Sequence, residues 1–186
     1  MKTNLTSDRI NVRELNRFIE NLSYSEKEND KRIKLIIQLQ YYTCLRFGDT
    51  KNIRFDDVLN YNQYKLTESK TQKIKTITIN PQLKSIVKKY FEENITISNS
   101  DFINNYSIQY INKKLKEYKF RYNITNYAND RKFNFSTHSI RKSSLFEVYR
   151  KVGINVSLKI SNHQSIFVHL KYICAEDDIK DAYMCL

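Results

Sequence analysis

One Pro and two Gly in 186 residues are the tightest constraint on this chain. Tight hairpins and sharp turns need Gly and Pro, so a chain this poor in both is read as long helices joined by polar connections. The apolar pattern agrees. Val12, Leu15, Phe18, Ile19 and Leu22 recur at helical spacing after Ser7-Asp8, which can cap a helix. A longer helix is expected from about Glu26 to Arg46, with Ile33, Ile36, Ile37 and Tyr41 on its stripe, ending where Phe47-Gly48 interrupts it.

The period then changes. Tyr64-Leu66 and Lys73-Ile79 alternate, with Ile77 and Ile79 on one face and Thr76 and Thr78 on the other, and Glu68 to Gln72 form a charged turn. This is the pattern of a β-hairpin. The single Pro follows Asn80, so Asn80-Pro81 reads as N-cap and first turn of a helix burying Leu83, Ile86, Val87, Tyr90 and Phe91. Residues 99–105 and 122–130 are polar loops. Between them Ile108, Ile111 and Leu115 mark a helix whose other face carries Lys113, Lys114, Lys116 and Lys119. Ser136 caps a helix to about Lys151, Gly153 stops it, Asn155 caps another, and a short last helix surrounds Phe167 to Tyr172. The expected fold class is mainly α (α+β): one helical domain, residues 1–186, with a small antiparallel sheet and a tail from 173.

Fourteen Tyr and ten Phe suit a packed core, and a domain of this length buries roughly 70% of its unfolded surface. Charge narrows the function. The net +12 is uneven, because the last fourteen residues carry four acids and one Lys, which leaves the rest at +15. Such a body suits a polyanion. No apolar run approaches 18 residues and Met1-Lys2-Thr3-Asn4 opens no signal sequence, so no membrane partner is expected. Cys44, Cys174 and Cys185 are odd in number and unpatterned, which points to unpaired thiols in a reducing, cytoplasmic setting rather than zinc.

The chemistry rests on few residues. His138-Ser139-Ile140-Arg141 begins a helix, where free N–H groups favour an anion. Twenty-one residues separate Arg141 from His163 and eight separate His163 from Tyr172. Upstream lie Arg46 and the turn lysine Lys70. Two guanidiniums, an ammonium, two imidazoles and a phenol suit metal-free phosphoryl transfer. Arg forks grip phosphate oxygens, a phenol attacks phosphorus, and an ammonium protonates the leaving oxygen.

In these boxes the chain resembles the catalytic domain of the tyrosine recombinases, or phage integrases. Thr43-Cys44-Leu45-Arg46-Phe47-Gly48-Asp49 resembles the first Arg box, and Ser69-Lys70-Thr71 with Thr76 to Ile79 resembles the Lys-bearing hairpin. Thr137-His138-Ser139-Ile140-Arg141, Gly153-Ile154-Asn155, Ser161-Asn162-His163-Gln164-Ser165 and Lys171-Tyr172 resemble the remaining boxes, in order, over about residues 6–172. The resemblance implies that Tyr172 forms a 3′-phosphotyrosyl link and that Lys70, with Lys73 as rival, is the general acid. It implies that Arg46, Arg141 and His163 stabilise the transition state while His138 assists proton transfer. It further implies double-stranded DNA as partner, homo-oligomers assembled on it, no cofactor and no metal.

Cys44 and Asn162 stand where the family usually has Gly; the first is expected to be a packing change, the second to alter its loop. The usual N-terminal clamp domain is not expected here, which leaves the basic body and the Lys113, Lys114, Lys116 and Lys119 helix to hold the duplex, unless that face is merely solvated. His169 reads as a surface or packing residue, and a tail face with Ile173, Ala175, Ile179, Ala182 and Tyr183 as a contact between protomers. Alternatives are a type IB topoisomerase, disfavoured by His138, or a catalytically silent DNA-binding accessory protein.

Overall fold

Helix α2 (Glu28–Thr43) is apolar on two faces, and the fold is arranged around it. A computed structural model describes residues 7–173. One face of α2, with Ile33, Ile36 and Ile37, packs on α1 (Val12–Ser23) and on α6 (Ile108–Arg121). Phe18 lies at the centre of that cluster, fully buried, with Phe135 edge-on at 5.4 Å. The other face, Leu35 and Leu39, meets the hairpin and α5 (Pro81–Glu92). From Leu35 to Gln40 every residue of α2 is buried, so this half of the helix lies inside the domain, while Glu28, Asn29 and Lys31 near its start stay exposed.

The hairpin pairs β1 (Gln63–Thr67) with β2 (Ile74–Thr78) antiparallel, Gln63 opposite Thr78 and Thr67 opposite Ile74. Its inward residues are Leu66, Ile77 and Ile79, as the alternation requires. Asn80 caps α5, its Oδ1 accepting from Gln82 N at 2.8 Å. Beyond α6, α7 (Thr137–Val152) runs through the domain, followed by α8 (Ile154–Ser161) and α9 (Ile166–Ile173). Small polar residues let α7 approach its neighbours closely. Ser143 exchanges hydrogen bonds with the backbone of Ile10, and Ser157 of α8 donates to Leu145 O at 2.8 Å. Over the described residues the architecture is therefore mainly helical with one two-stranded antiparallel sheet.

Several boundaries differ from the sequence reading. The cap of α1 is Asn11, which accepts from Arg13 N at 2.9 Å, because Ser7 is drawn instead to Ser136 at 2.6 Å. Gly153, not Asn155, occupies the cap position of α8; its φ of 89° turns the chain between two helices without a connecting loop. Two short helices, α3 (Phe47–Thr50) and α4 (Phe55–Leu59), fill a stretch that offered no helical period. The tail segment lies outside the described residues except Ile173, which is buried beside Leu145 and Cys44. No helix among the described residues is long and apolar enough to cross a membrane.

Most consequential is the end of α2. It stops at Thr43, and Cys44 turns into the left-handed region with φ 53° and ψ 23°. Position 44 is thus a backbone requirement, not only a packing site. Asn162, φ 58°, meets the same requirement at the end of α8, so Asn there preserves the loop geometry rather than altering it. Both substitutions at position 44 remove the thiol, but only Gly relieves the left-handed strain. Cys44→Gly should therefore exceed Cys44→Ala in stability by about 1 kcal/mol, read from urea unfolding.

Candidate active site

The turn at Cys44 and buried Leu45 release Arg46 from α2 and place it ahead of α3, where its carbonyl accepts from Asp49 N at 2.9 Å. Arg46 is therefore not a helix-end charge bound to carbonyls. Its Nη1 lies 3.2 Å from Glu68 Oε2, a fully buried carboxylate. Glu68 also accepts from Thr71 Oγ1 at 2.6 Å and Asn162 Nδ2 at 2.7 Å. Burial raises its pKa, but those hydrogen bonds and the Arg46 charge outweigh burial and leave it below its ordinary value. Asp49, likewise buried, accepts from Ser69 N at 2.8 Å. Two inward carboxylates thus flank and pin the exposed turn that carries Lys70.

His138 and Arg141 are three apart at the start of α7, on one side of the helix. Arg141 is 2% exposed and donates to Cys44 O at 2.6 Å and Ser161 O at 2.8 Å. It joins the loop bearing Arg46 to the turn bearing His163. Burial pulls its pKa down, but from an ordinary value so high that the guanidinium stays protonated at neutral pH. His138 Nδ1 lies 3.3 Å from Tyr172 Oη, long for a formed hydrogen bond but within the range that closes around a substrate. The His163 ring stands edge-on to Tyr172 at 4.9 Å.

Arg46, Lys70, His138 and Arg141 line one pocket of about 310 Å³, with Gln40, Ser69 and Thr137. Tyr172 meets this group through His138 and Arg141, and His163 meets it through Tyr172. All six predicted residues are therefore gathered. Lys73 is not among them; it lines a different pocket with Lys75, Lys159 and Asn162. Of the lysine face on α6, Lys114 is paired with Glu117 at 2.8 Å and Lys119 donates to Phe133 O, whereas Lys113 and Lys116 are exposed.

Charge states follow from burial. Burial raises the Tyr172 phenol, only partly countered by Arg141 and Arg46. Burial, then Arg141, lowers His138; burial, then His169 and Arg141, pushes His163 down to about 4. At neutral pH the site combines a phenol and neutral imidazoles with permanent guanidinium charge. It can hold an anionic phosphodiester and accept the proton of an attacking phenol.

Four residues escaped the sequence reading. Glu68 follows Leu66 by two, so the strand alternation already put it on the inward face. Asp49 enters the sequence pattern only as the last residue of the first Arg box, with nothing local to show its bond to Ser69. Lys75 is pushed down to about 8, by burial first and Arg141 second, and donates to Ile160 O. His169 is fully buried, so of its two readings, surface or packing, the packing one holds; its contacts with His163 and Ser157 are what the sequence did not show. No group of three or more His, Cys, Asp or Glu among the described residues is placed to hold a metal ion.

Because the folded pKa of Glu68 lies below its ordinary 4.5, its ionised form stabilises the fold above that pH and is lost as pH falls through the folded value. Glu68→Gln should flatten the acid limb of stability, measured as urea midpoints from about pH 7 to pH 3. Asp49→Ala leaves the Ser69 N–H unpaired and should cost about 1–3 kcal/mol by the same measurement.

Comparison with known proteins adds three solved structures of the same fold. XerA recombinase superposes with a TM-score of 0.71 at 17% identity, over 96% of this chain and 65% of its own. A lambda integrase(75-356) dimer bound to a COC′ core site gives 0.69 at 16%, over 94% and 62%. The catalytic domain of bacteriophage HP1 integrase gives 0.59 at 15%, over 95% and 94%. The chain thus spans less than two thirds of the length of the first two. A search of curated protein sequences finds no match. The sequence model of the phage integrase family matches residues 8–177, nearly the whole chain. The chain belongs to the phage integrase family.

Proposed function

We propose that this protein is a site-specific tyrosine recombinase that cuts and rejoins duplex DNA by transesterification. The observation that carries this reading is the position of Tyr172 Oη, 3.3 Å from His138 Nδ1 and beside Arg141, next to the pocket lined by Arg46 and Lys70. Arg46 and Arg141 grip the nonbridging oxygens of the scissile phosphate and offset the charge that builds at phosphorus. The Tyr172 oxygen attacks phosphorus as its proton passes to His138. A 3′-phosphotyrosyl bond forms, and the bond to the 5′ oxygen breaks. Lys70 protonates that departing oxygen. Religation runs the same steps backwards, so the bond energy is kept in the ester and no nucleotide is needed. His163 holds the phosphate from the Tyr172 side.

The partner is double-stranded DNA, and cleavage by one protomer is coupled to others assembled on the same site. The +12 charge supports this partner, as does the lambda integrase dimer's being bound to a core site.

Nicked duplex carrying the cognate site should give a denaturant-resistant protein–DNA adduct with wild type and none with Tyr172→Phe. An adduct from Tyr172→Phe, or none from wild type, overturns the proposal. Arg141→Ala should slow cleavage by on the order of 10²-fold or more. Lys70→Ala should lose about 10²–10⁴-fold and regain rate on a duplex whose 5′ leaving oxygen is replaced by sulfur, which needs no acid; Lys73→Ala should cleave normally. Relaxation of plasmids without site dependence would make it a topoisomerase instead.

A further inference from the structure

We infer that His169 is a positioning residue that fixes the tautomer of His163, through a buried chain running from His163 to His169, Ser157 and the Leu145 carbonyl. The inference rests on the reading of His163 as a phosphate-side group given above.

The chain of contacts has one proton assignment. Leu145 O is a carbonyl and can only accept, so Ser157 Oγ spends its single proton on it at 2.8 Å. Ser157 Oγ therefore accepts from His169 Nε2 at 2.8 Å, and Nε2 carries the proton of that ring. A neutral His169 then offers a lone pair at Nδ1. His163 Nδ1 lies 3.0 Å away and must be the donor. What remains to His163 is Nε2, unprotonated while the ring is neutral. His169 is fully buried and its two ring nitrogens are both engaged, so the assignment is not averaged by water. The depressed pKa of His163 agrees with a neutral ring before DNA arrives.

The consequence for the reaction is directional. Neutral His163 cannot donate to a phosphate oxygen; it can take up one proton, at Nε2, and the resulting imidazolium donates from Nε2 to phosphate while Nδ1–H stays on His169. The chain also ties His163 to α8 and, through Leu145, to α7, the helix that carries His138 and Arg141. His169 and Tyr172 are three apart on α9, so one short helix presents both the nucleophile and the residue that orients its histidine neighbour.

The test begins with the wild-type chain, labelled with ¹⁵N-histidine, whose only three imidazoles are assigned through His138→Gln and His163→Gln. Long-range ¹H–¹⁵N correlation should place the proton of neutral His163 on Nδ1 and that of His169 on Nε2. The reverse tautomer at either ring overturns the inference, whatever the cleavage assay gives. In adduct formation, His169→Leu should lose about 10- to 100-fold, by analogy with the loss seen when a metal-binding histidine loses the group that orients it. His169→Asn, whose Oδ1 stands where Nδ1 did, should recover most of it. Equal loss in both, or none in His169→Leu, also overturns it. An adduct persisting in Tyr172→Phe would sink the recombinase reading while leaving the tautomer result intact.

Discussion

A buried guanidinium organises this domain. Arg141 is nearly inaccessible, and among the described residues no carboxylate pairs with it directly; it donates to the carbonyls of Cys44 and Ser161 and also hydrogen-bonds Tyr172. Burying a cation costs several kcal/mol unless its donors are met. The two carbonyls are free because each lies at the end of a helix, where the last peptide oxygens have no partner within the helix. The same two bonds fix the loop that presents Arg46 and the turn that presents His163. A positive charge needed by the chemistry is thus held by the backbone of the elements it positions.

Left-handed residues make those helix ends sharp. Cys44 and Asn162 both take positive φ, each immediately beyond a helix, and both adjoin a carbonyl that Arg141 uses or a carboxylate that Arg46 uses. Asn162 does more than turn the chain: its amide reaches Glu68, so the turn before His163 and the hairpin before Lys70 share one anchor. Asp49 anchors the hairpin a second time. Lys70 itself stays exposed, on a turn whose flanks are fixed, which suits a side chain that must reach a bound substrate.

The electrostatics point the same way. Burial and clustered guanidiniums both disfavour further positive charge, so the imidazoles are neutral and able to accept protons. The phenol is also neutral, and its proton must leave as phosphorus is attacked. Glu68 offsets part of the positive charge from behind Arg46, and a phosphodiester would meet the rest.

The sequence alone determined the helical class, the hairpin with Ile77 and Ile79 on one face, the caps at Asn80 and Ser136, and the six residues now found together. These follow from short-range rules: helical and strand periods, capping chemistry and ordered motifs all act within a few residues. Tertiary structure decided what those rules do not reach. Arg46 left the helix end because Cys44 turns left-handed, α3 and α4 formed where no period announced them, and Ser7 gave up its cap for Ser136, 129 residues away. Glu68 was legible as an inward position, but not its partners Arg46 and Asn162. His169 became half of a proton chain only because Ser157 and His163 were brought to either side of it. Hydrogen bonds between distant residues depend on the packing of whole helices, and no local pattern encodes which donor will meet which acceptor.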